Sequence, residues 1–464
     1  MRVDVAILGG GFSGAILGAM LARRGRSVAV LEKGRHPRFA LGESSTPMSN
    51  YHLQAIAEDC DLPALAPLSK YGPWTKAYPN LDRGLKRGFT FACHRPGEPF
   101  RREGNEMLVT ANPTDEAGDT HWLRADFDQF AFQVARDAGV HCHEGLGEIR
   151  IERGPPWRFV SDGGEIEAPF AVDATGPAAA VGHAAGSTPT APMRTDSWSV
   201  YSHVVGLRRW EDVQGGCPDH PYRCDDAALH HILADGWIYV LRFDSGVTSA
   251  GVLVDGTKRS PSSCSPEEEW RAMLGRYPSV AEHFDGSEAI RPWVRTPRLQ
   301  RRMSRLAGPD WALLAPSAYT LDALYSTGNA HALTTVRRLA RLLVRRWDAE
   351  RYAAALGREI DFLDTLVHGS YRAFGDPRRL FAWTMLYFAG AITAEETARA
   401  GKATPEDEFL SSHIPAFRAE VMRLHEAVIG PTATPDFEAD VRRSIAPWNS
   451  VGLCDPGKRN LYPW

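Results

Sequence analysis

Residues 3–33 read VDVAILGGGFSGAILGAMLARRGRSVAVLEK and decide the fold, because they predict a strand, a glycine-rich turn, a helix and a second strand. Gly9, Gly11 and Gly14 follow the first strand with the spacing G-x-G-x-x-G. This spacing allows a tight turn, close approach of the backbone to a pyrophosphate, and close packing of the helix on the strand. Glu32 ends the second strand, where an acidic side chain binds a ribose hydroxyl. The stretch therefore predicts a binding site for FAD or NAD.

The residues beside these glycines complete the predicted cofactor site. The helix begins near Phe12 and Ser13, and its free amide groups and its dipole favour a phosphate group. Lys33 follows Glu32 and belongs to the same site. A lone G-x-G-x-x-G also fits an ordinary glycine-rich turn. Here the preceding strand, the following helix and the acidic residue together favour a nucleotide site.

Composition excludes several classes of protein. The chain has 464 residues, 43% of them hydrophobic and 24% charged, which fits a globular protein of two or three domains. A formal net charge of -4 predicts neither a nucleic-acid partner nor an anionic membrane partner. Seven scattered cysteines favour a reducing compartment over a disulfide framework. With no visible signal peptide and no apolar segment long enough to span a bilayer, we expect a cytoplasmic protein.

A second apolar strand ends in Asp173-Ala-Thr-Gly176. A turn of this kind returns the backbone to the dinucleotide, so Asp173 and Gly176 are predicted to form a second wall of an FAD site. Strand patterns at residues 198–205, 237–243 and 247–254 predict a separate sheet. We expect the following organisation: FAD-binding segments at 1–95, 123–195 and 301–345, a surface insertion at 96–122, a β-sheet substrate domain at 196–300 and a helical C-terminal region at 346–464.

The order of five motifs resembles that of flavin-dependent halogenases and halogenase-like flavoprotein monooxygenases. The motifs are G-x-G-x-x-G at 9–14, GESSTP at 42–47, KRGFTF at 86–91, DATG at 173–176 and STG at 326–328. The resemblance covers about residues 1–390. It implies FAD as the cofactor and an α/β fold, α+β overall. A Rossmann-like FAD-binding domain of the glutathione-reductase or hydroxylase type would carry an inserted β-sheet substrate domain and a helical C-terminal part.

The resemblance assigns two further segments to the cofactor. Loop 42–47 would lie beside the flavin, which makes Glu43 and Ser44 cofactor-binding residues. Thr327 and Gly328 match the segment that binds halide and approaches the flavin. A simple helix N-cap is the alternative for this second segment.

Lys86 matches the family lysine that faces the flavin across a tunnel, with Phe91 at the family's spacing. An ammonium group there can hydrogen-bond or capture an electrophile that leaves the flavin. A surface lysine at the start of a strand is the alternative. Arg124 matches an arginine that contacts the flavin edge or the pyrophosphate. A salt bridge to Asp128, four residues on, is the alternative for Arg124.

Two positions depart from tryptophan halogenases. The family motif Trp-x-Trp-x-Ile-Pro keeps only its first tryptophan, Trp237, and the glutamate that precedes Ser-Thr-Gly is replaced by Tyr325. The first change weakens the barrier between flavin and substrate. The second removes the acceptor for an indole N–H group.

The sequence favours FAD-dependent hydroxylation of an electron-rich aromatic, a phenol or an indole such as tryptophan, free or in a peptide. The oxidant would be a flavin C4a-hydroperoxide formed from molecular oxygen, with Lys86 polarising its distal oxygen. One alternative is an aromatic halogenase that oxidises chloride or bromide. Another, of a different class, is a flavin-binding maturation or partner protein that oxygenates nothing. A closed tunnel beyond Lys86 favours halogenation, whereas an open cleft favours hydroxylation. Without a second dinucleotide fingerprint, reducing equivalents come from a separate flavin reductase or from NAD(P)H.

No metal site is predicted. Residues 217–224, CPDHPYRC, and 141–143, HCH, contain metal-ligand side chains, but neither has the closed four-ligand spacing of a zinc site. His230 and His231 are candidates for acid–base chemistry. A packed or solvated strand histidine is the alternative for both.

Overall fold

Two main sheets and a C-terminal group of helices make up the chain in the computed structural model, which describes residues 1–190, 192–403, 409–430, 437–455 and 457. The strands, in chain order, are β1 (Val5–Leu8), β2 (Val28–Leu31), β3 (Arg83–Lys86), β4 (Gly88–Cys93), β5 (Glu106–Thr110), β6 (Asp119–Trp122), β7 (His141–His143), β8 (Arg150–Glu152), β9 (Trp157–Ser161), β10 (Gly164–Ala168), β11 (Phe170–Asp173), β12 (Ser197–Val205), β13 (Ala228–Leu233), β14 (Gly236–Arg242), β15 (Thr248–Asp255), β16 (Glu288–Ala289), β17 (Val294–Arg295), β18 (Arg301–Arg302), β19 (Ala307–Gly308), β20 (Trp311–Leu313) and β21 (Tyr319–Thr320).

The helices alternate with these strands in the first part of the chain and follow one another at its end. They are α1 (Phe12–Ala22), α2 (Pro47–Asp59), α3 (Tyr71–Ala77), α4 (Arg124–Asp137), α5 (Ala180–Ala184), α6 (Trp210–Gln214), α7 (Pro266–Leu274), α8 (Pro278–Phe284), α9 (Ala315–Ala318), α10 (Thr327–Arg345), α11 (Ala349–Ala373), α12 (Pro377–Arg399), α13 (Pro415–Ile429) and α14 (Phe437–Ile445). None of the described helices combines the length and the apolar composition needed to cross a bilayer.

The first sheet positions the predicted cofactor segments. Its order is β19-β20-β11-β1-β2-β7, and β1 pairs in parallel with both β2 and β11. Every residue of these three strands is buried, as expected for an apolar run in a parallel sheet with both faces covered. Leu8 lies opposite Leu31 on one side and Asp173 on the other. The turn after β1, Glu32 after β2 and the turn after β11 therefore meet at one edge.

The second sheet lies beside this edge and contains eight strands, in the order β16-β12-β15-β14-β13-β4-β5 with β17 also on β12. Strands β12 to β15 pair antiparallel, whereas β13 and β4 run parallel. Because β4 belongs to this sheet, the expected FAD segment 1–95 contributes to both sheets. Hydrophobic side chains on the face of the sheet away from the cofactor edge form a second core cluster with α6, α7 and α8.

Residues 96–122 were expected to form a surface insertion, but two parts of this segment are strands that pair with other strands. Strand β5 extends the large sheet next to β4, and β6 pairs antiparallel with β3. All four residues of β6 are buried although three of them are polar. They are tolerated inside because they have partners, as when Asn50 donates a hydrogen bond to Asp119. A polar composition had suggested the surface, but ladder pairing and side-chain hydrogen bonds override it.

The helical C-terminal region is described as α11 to α14, while 404–408, 431–436, 456 and 458–464 lie outside the described residues. A buried carboxylate on α11 connects this region to α10. Glu359 accepts two hydrogen bonds from Arg338, at 2.9 and 2.6 Å, one from the backbone of Phe409 at 2.7 Å, and lies 3.0 Å from His331 Nε2. Burial alone would raise the pKa of Glu359, but Arg338 and His331 outweigh it and hold that pKa far below its ordinary value.

We expect Arg338→Met to lower the free energy of unfolding by about 3–5 kcal/mol, because it leaves the buried Glu359 charge without its main partner. Urea unfolding followed by circular dichroism measures this loss. Arg442→Met is the matched control, since Arg442 pairs with Glu438 at 3.5 Å and both side chains are about half exposed. The control should change stability by less than about 0.5 kcal/mol. Equal losses in the two variants would contradict the role given to Glu359.

Candidate active site

The glycine turn after β1 has the shape that a pyrophosphate needs. Gly9 has φ +112°, and a Cβ there would lie 2.2 Å from the Ala174 carbonyl oxygen. A Cβ on Gly14 would lie 2.1 Å from the Gly9 oxygen. On Gly11 a Cβ would meet no atom closer than 3.5 Å. The protein's own packing therefore requires the first and third glycines, whereas a Cβ on the second would fit at ordinary van der Waals distance at the start of α1.

Glu32 is fixed at the end of β2 by several donors. The backbone amides of Gly10 and Gly34 donate to its two carboxylate oxygens, each at 2.9 Å, and Arg38 donates at 3.0 Å. Burial would raise the pKa of Glu32, but Arg38 and the two amides lower it overall. The carboxylate therefore stays ionised beside the glycine turn. The sequence analysis did not predict Arg38 as a site residue. Its basic side chain in the loop after β2 was the only feature that could have indicated it.

Arg124 lies at the same turn, in the geometry that the alternative interpretation predicted. It forms a two-point ion pair with the buried Asp128, at 2.8 and 3.0 Å, and donates to the Leu41 carbonyl oxygen at 2.6 Å. Its guanidinium lies 4.7 Å from the Phe12 ring centroid, and the Phe12 amide donates to Asp128 at 3.2 Å. Arg124 thus holds α1, α4 and the start of loop 42–47 together. Its contact with a cofactor stays a prediction.

Loop 42–47 and the start of α10 lie against each other. Asn329 donates a hydrogen bond to the Ser44 carbonyl oxygen at 3.2 Å. Ser326, just before α10, has φ +54°, and a Cβ on Gly328 would meet no atom within 4 Å. The first turn of α10 therefore has a face, at Gly328, that no other part of the described protein covers. Its free amides favour an anion or the flavin ring there.

Glu43 faces the other side of this loop. It lies 3.0 Å from His203 Nε2 on β12, so it links the loop to the large sheet. A cavity of about 270 Å³ lies here between the two sheets. Its lining includes Arg38, Glu43, Leu123, His203 and Arg291.

Lys86 is completely buried at the end of β3. Its Nζ donates to Ser44 Oγ at 3.0 Å and to the Ser45 carbonyl oxygen at 2.6 Å, and it lies 4.0 Å from the Phe89 ring centroid. The alternative of a surface lysine is therefore wrong. The predicted catalytic lysine and the predicted flavin loop are in direct contact.

Two opposing effects set the pKa of Lys86. Burial lowers the pKa of Lys86 to about 7, and the carboxylate of Asp119 opposes this shift. Asp119 is the cross-strand partner of Lys86, so both side chains leave the same face of the β3–β6 pair. The pKa of Asp119 is itself raised by burial, against the lowering influence of Lys70 and Lys86. The sequence did not reveal Asp119, because it lies in the segment expected to be a surface insertion.

Aromatic side chains surround Lys86 on the side away from loop 42–47. Phe89 contacts the ring of Tyr387 at 6.2 Å, Tyr387 stacks on Tyr325 at 4.4 Å, and His230 stacks between Phe91 and Trp237 at 4.7 and 5.0 Å. We call the six residues Phe89, Phe91, His230, Trp237, Tyr325 and Tyr387 the aromatic wall. Burial, followed by the charge of Lys86, lowers the pKa of His230 to about 3, so its imidazole is neutral.

The remaining predicted cofactor-binding residues have different surroundings. The Asp173 carboxylate accepts from Thr175 and from the Gly182 amide at 3.0 Å, which commits it to its own turn. Gly176 is open, since a Cβ there would meet no atom within 4 Å, whereas Lys33 extends into solvent. Ser13 is buried in the first turn of α1.

The residues at the carboxyl edge fit FAD. Gly328 leaves open space at the start of α10, Gly11 carries no side chain at the start of α1, and the ionised Glu32 lies beside the turn of Gly11. A ribose hydroxyl, a pyrophosphate and a flavin ring would each find donors or an acceptor of the right kind there.

Comparison with known proteins also indicates an FAD-binding protein. A model of NAD(P)-binding Rossmann-like domains matches residues 7–58. Monodechloroaminopyrrolnitrin halogenase of Pseudomonas fluorescens is 28% identical over 411 residues, 84% of this chain and 72% of that protein. Tetracycline 7-halogenase of Kitasatospora aureofaciens is 29% identical over 392 residues, 80% of this chain and 70% of that protein. The crystal structure of halogenase PltM in complex with phloroglucinol and FAD is 25% identical, with a TM-score of 0.90 over 99% of this chain and 100% of that one.

Over most of its length the chain is similar to flavin-dependent halogenases. The resemblance and the fold class predicted from the ordered motifs are confirmed. The predicted cofactor agrees with the FAD bound by halogenase PltM. Between the two enzymatic interpretations of the sequence, the comparisons favour halogenation over hydroxylation.

We expect Gly11→Ala to weaken FAD binding at least about tenfold, because the new methyl group would occupy space that the pyrophosphate needs. Titration of the apoprotein with FAD, followed by flavin fluorescence, measures the affinity. Melting of the apoprotein should not change, since Gly11 has φ -66° and its Cβ has room. Gly275→Ala, at a helical position with equal room, is the control and should bind FAD like the parent. Equal affinity in both variants would argue against a pyrophosphate at this turn.

Proposed function

We propose that this chain is an FAD-dependent halogenase that places chloride or bromide on an electron-rich aromatic of the phenol class. The buried Lys86 carries the proposal. It lies between loop 42–47 and the aromatic wall with no exposed surface, which supports a closed path over an open cleft. An open cleft would have favoured hydroxylation.

The phenol class is supported from two directions. Tyr325 replaces the glutamate that would accept an indole N–H group, so an indole is not the best fit. The relatives include a halogenase of tetracycline and a halogenase crystallised with phloroglucinol, and both compounds carry phenolic hydroxyls. The aromatic wall is buried with its rings stacked on one another, and it supplies an apolar aromatic lining of the kind against which such a substrate packs.

FAD, when bound in reduced form, supplies the two electrons that let oxygen convert a halide ion into an electrophilic halogen. The protein's own groups then decide where that electrophile goes. Lys86 Nζ, fixed by Ser44 and Ser45, is the polar group that can hold it between loop 42–47 and the aromatic wall. The open amides at Thr327 and Gly328 provide a place for the halide. Reducing equivalents would come from a separate flavin reductase or from NAD(P)H.

The neutral histidines have a consistent role in this scheme. Burial, then Lys86, lowers the pKa of His121 to about 3, as for His230. Neither imidazole adds a positive charge to the site at neutral pH. Lys86 is therefore the titrating group that sets the local charge, together with Asp119.

We expect a brominated product when the protein is incubated with reduced FAD, oxygen, bromide and a panel of phenols, pyrroles and indoles. Mass spectrometry distinguishes the product by its bromine isotope pattern. Phenols should react best. A hydroxylated product with no brominated one would overturn the halogenase proposal in favour of hydroxylation.

The same assay with Lys86→Ala should lose product at least about 10²–10³-fold, because the group that holds the electrophile is gone. Bound FAD, measured by its absorbance, should remain. Lys76→Ala is the matched control, since Lys76 is exposed and pairs with Glu116 on the surface. If Lys86→Ala keeps full activity, the family's lysine chemistry does not apply to this chain. If neither protein makes any product from the panel, a flavin-binding partner protein becomes the better explanation.

We expect Asp119→Asn to shift the pH dependence of kcat toward lower pH. The Asp119 carboxylate favours the charged form of Lys86, so its removal lowers the pKa of Lys86 further below about 7. Whichever limb of the pH–rate profile reports Lys86 should move down with that pKa. Glu116→Gln, an exposed carboxylate in the same segment, should leave the profile in place. A loss of rate with an unmoved profile would assign Asp119 a purely structural role.

A further inference from the structure

A second cluster of reactive side chains lies at the far edge of the large sheet, outside the FAD and Lys86 region. Strand β5 brings Glu106 against the loop between α6 and β13, which carries His220 and Cys224. The ligand-type atoms of these three residues lie within 4.8 Å of one another. Among the described residues, this is the only group of three histidine, cysteine or acidic side chains that converges so closely.

The hydrogen bonds within the cluster leave three ligand atoms pointing at each other. His220 Nε2 lies 2.8 Å from Glu106 Oε2, which Arg102 also contacts at 2.8 Å. An Nε2–H that donates to this oxygen leaves His220 Nδ1 as a free lone pair. Nδ1 lies 3.4 Å from Cys224 Sγ, and Sγ lies 3.8 Å from Glu106 Oε1. The remaining nitrogen, sulfur and oxygen therefore face one another.

These separations match the edges of a tetrahedral zinc site. With Zn–N near 2.0 Å and Zn–S near 2.3 Å, two such ligand atoms are about 3.5 Å apart. Nitrogen, thiolate and carboxylate are also the ligands that Zn²⁺ takes. Three protein ligands leave a fourth position for a water molecule. Cys217 lies in the same turn, where its carbonyl oxygen accepts from the His220 amide at 3.0 Å, but its side chain is not part of the converging group.

Carboxylates surround the cluster, and each of them is paired with an arginine. Glu211 accepts from the Cys224 amide at 2.8 Å and pairs with Arg223, whereas Glu106 pairs with Arg102 and Asp225 with Arg242. Burial, followed by Glu106, Glu211 and Asp225, strongly raises the pKa of the Cys224 thiol. A bound divalent cation would favour the thiolate instead.

We propose that Glu106, His220 and Cys224 bind a Zn²⁺ ion, with a water molecule in the fourth position. The ion would link the loop between α6 and β13 to β5, which is an edge strand of the large sheet. Its role would be structural, since the three residues lie apart from loop 42–47 and the aromatic wall. The sequence analysis predicted no metal site at residues 217–224, because Glu106 comes from a distant strand that no spacing could reveal.

The test uses the full chain, purified under a thiol reductant and freed of metal by a chelator. Co²⁺ is added as a spectroscopic substitute for Zn²⁺. We expect intense visible bands of tetrahedral Co²⁺, a near-ultraviolet band from thiolate-to-cobalt charge transfer, and displacement of both by one equivalent of Zn²⁺. Absence of these bands, with no Zn²⁺ retained after dialysis, would overturn the proposal.

Variants locate the ion. Cys224→Ser and His220→Ala should each weaken Zn²⁺ binding at least 100-fold, and Cys224→Ser should also abolish the charge-transfer band. Cys264→Ser is the matched control, because Cys264 contacts Ser262 in another loop. FAD binding and circular dichroism report whether each variant is folded. If folded Cys224→Ser binds Zn²⁺ like the control, the ion is held elsewhere and the proposal fails. If Cys224→Ser does not fold, folded His220→Ala decides in the same way.

Discussion

A buried lysine is the constraint on which the candidate site depends. An ammonium group without water is costly unless hydrogen-bond acceptors and negative charges around it compensate. Lys86 meets this cost with Ser44 and the Ser45 carbonyl on one side, the face of Phe89 on another, and the carboxylate of Asp119 across the strand pair. These contacts require loop 42–47, β3 and β6 to be in register. The arrangement that stabilises the lysine is therefore the same one that places it between the two halves of the site.

The two sheets position different parts of the candidate site. The parallel sheet aligns the ends of β1, β2 and β11, so that the glycine turn, Glu32 and the Ala174 carbonyl share one edge. The large sheet provides four residues of the aromatic wall, Phe89, Phe91, His230 and Trp237, and, through His203, a partner for Glu43. Arg124 and Asp128 hold α1, α4 and the start of loop 42–47 together beside the glycine turn. The candidate site therefore depends on both sheets.

The sequence predicted those features that depend on local pattern. A strand followed by G-x-G-x-x-G and an acid is a continuous signal, and the fold class and the segments at Gly11, Lys86 and Gly328 follow from such signals. Features that depend on strand pairing were missed. Asp119 reaches Lys86 only because β6 pairs with β3, and Arg38 reaches Glu32 only through the path of a loop. Polar residues at 119–121 looked like surface because hydrogen-bond partners distant in sequence cannot be read from composition.

The position of Lys86 also bears on the choice between oxygen transfer and halogenation. Direct transfer of oxygen to carbon needs the aromatic ring within reach of the flavin, about 3–3.5 Å between reacting atoms. Here Lys86 lies between Ser44 and Ser45 of loop 42–47 and the ring of Phe89 in the aromatic wall. Under the proposed function, a substrate ring on the far side of Lys86 would be kept from the flavin, whereas a small electrophile needs only a hydrogen-bonding group along its path. The eroded tryptophan motif had suggested a wider opening, but Trp237 is fully buried and stacks on His230 at 5.0 Å.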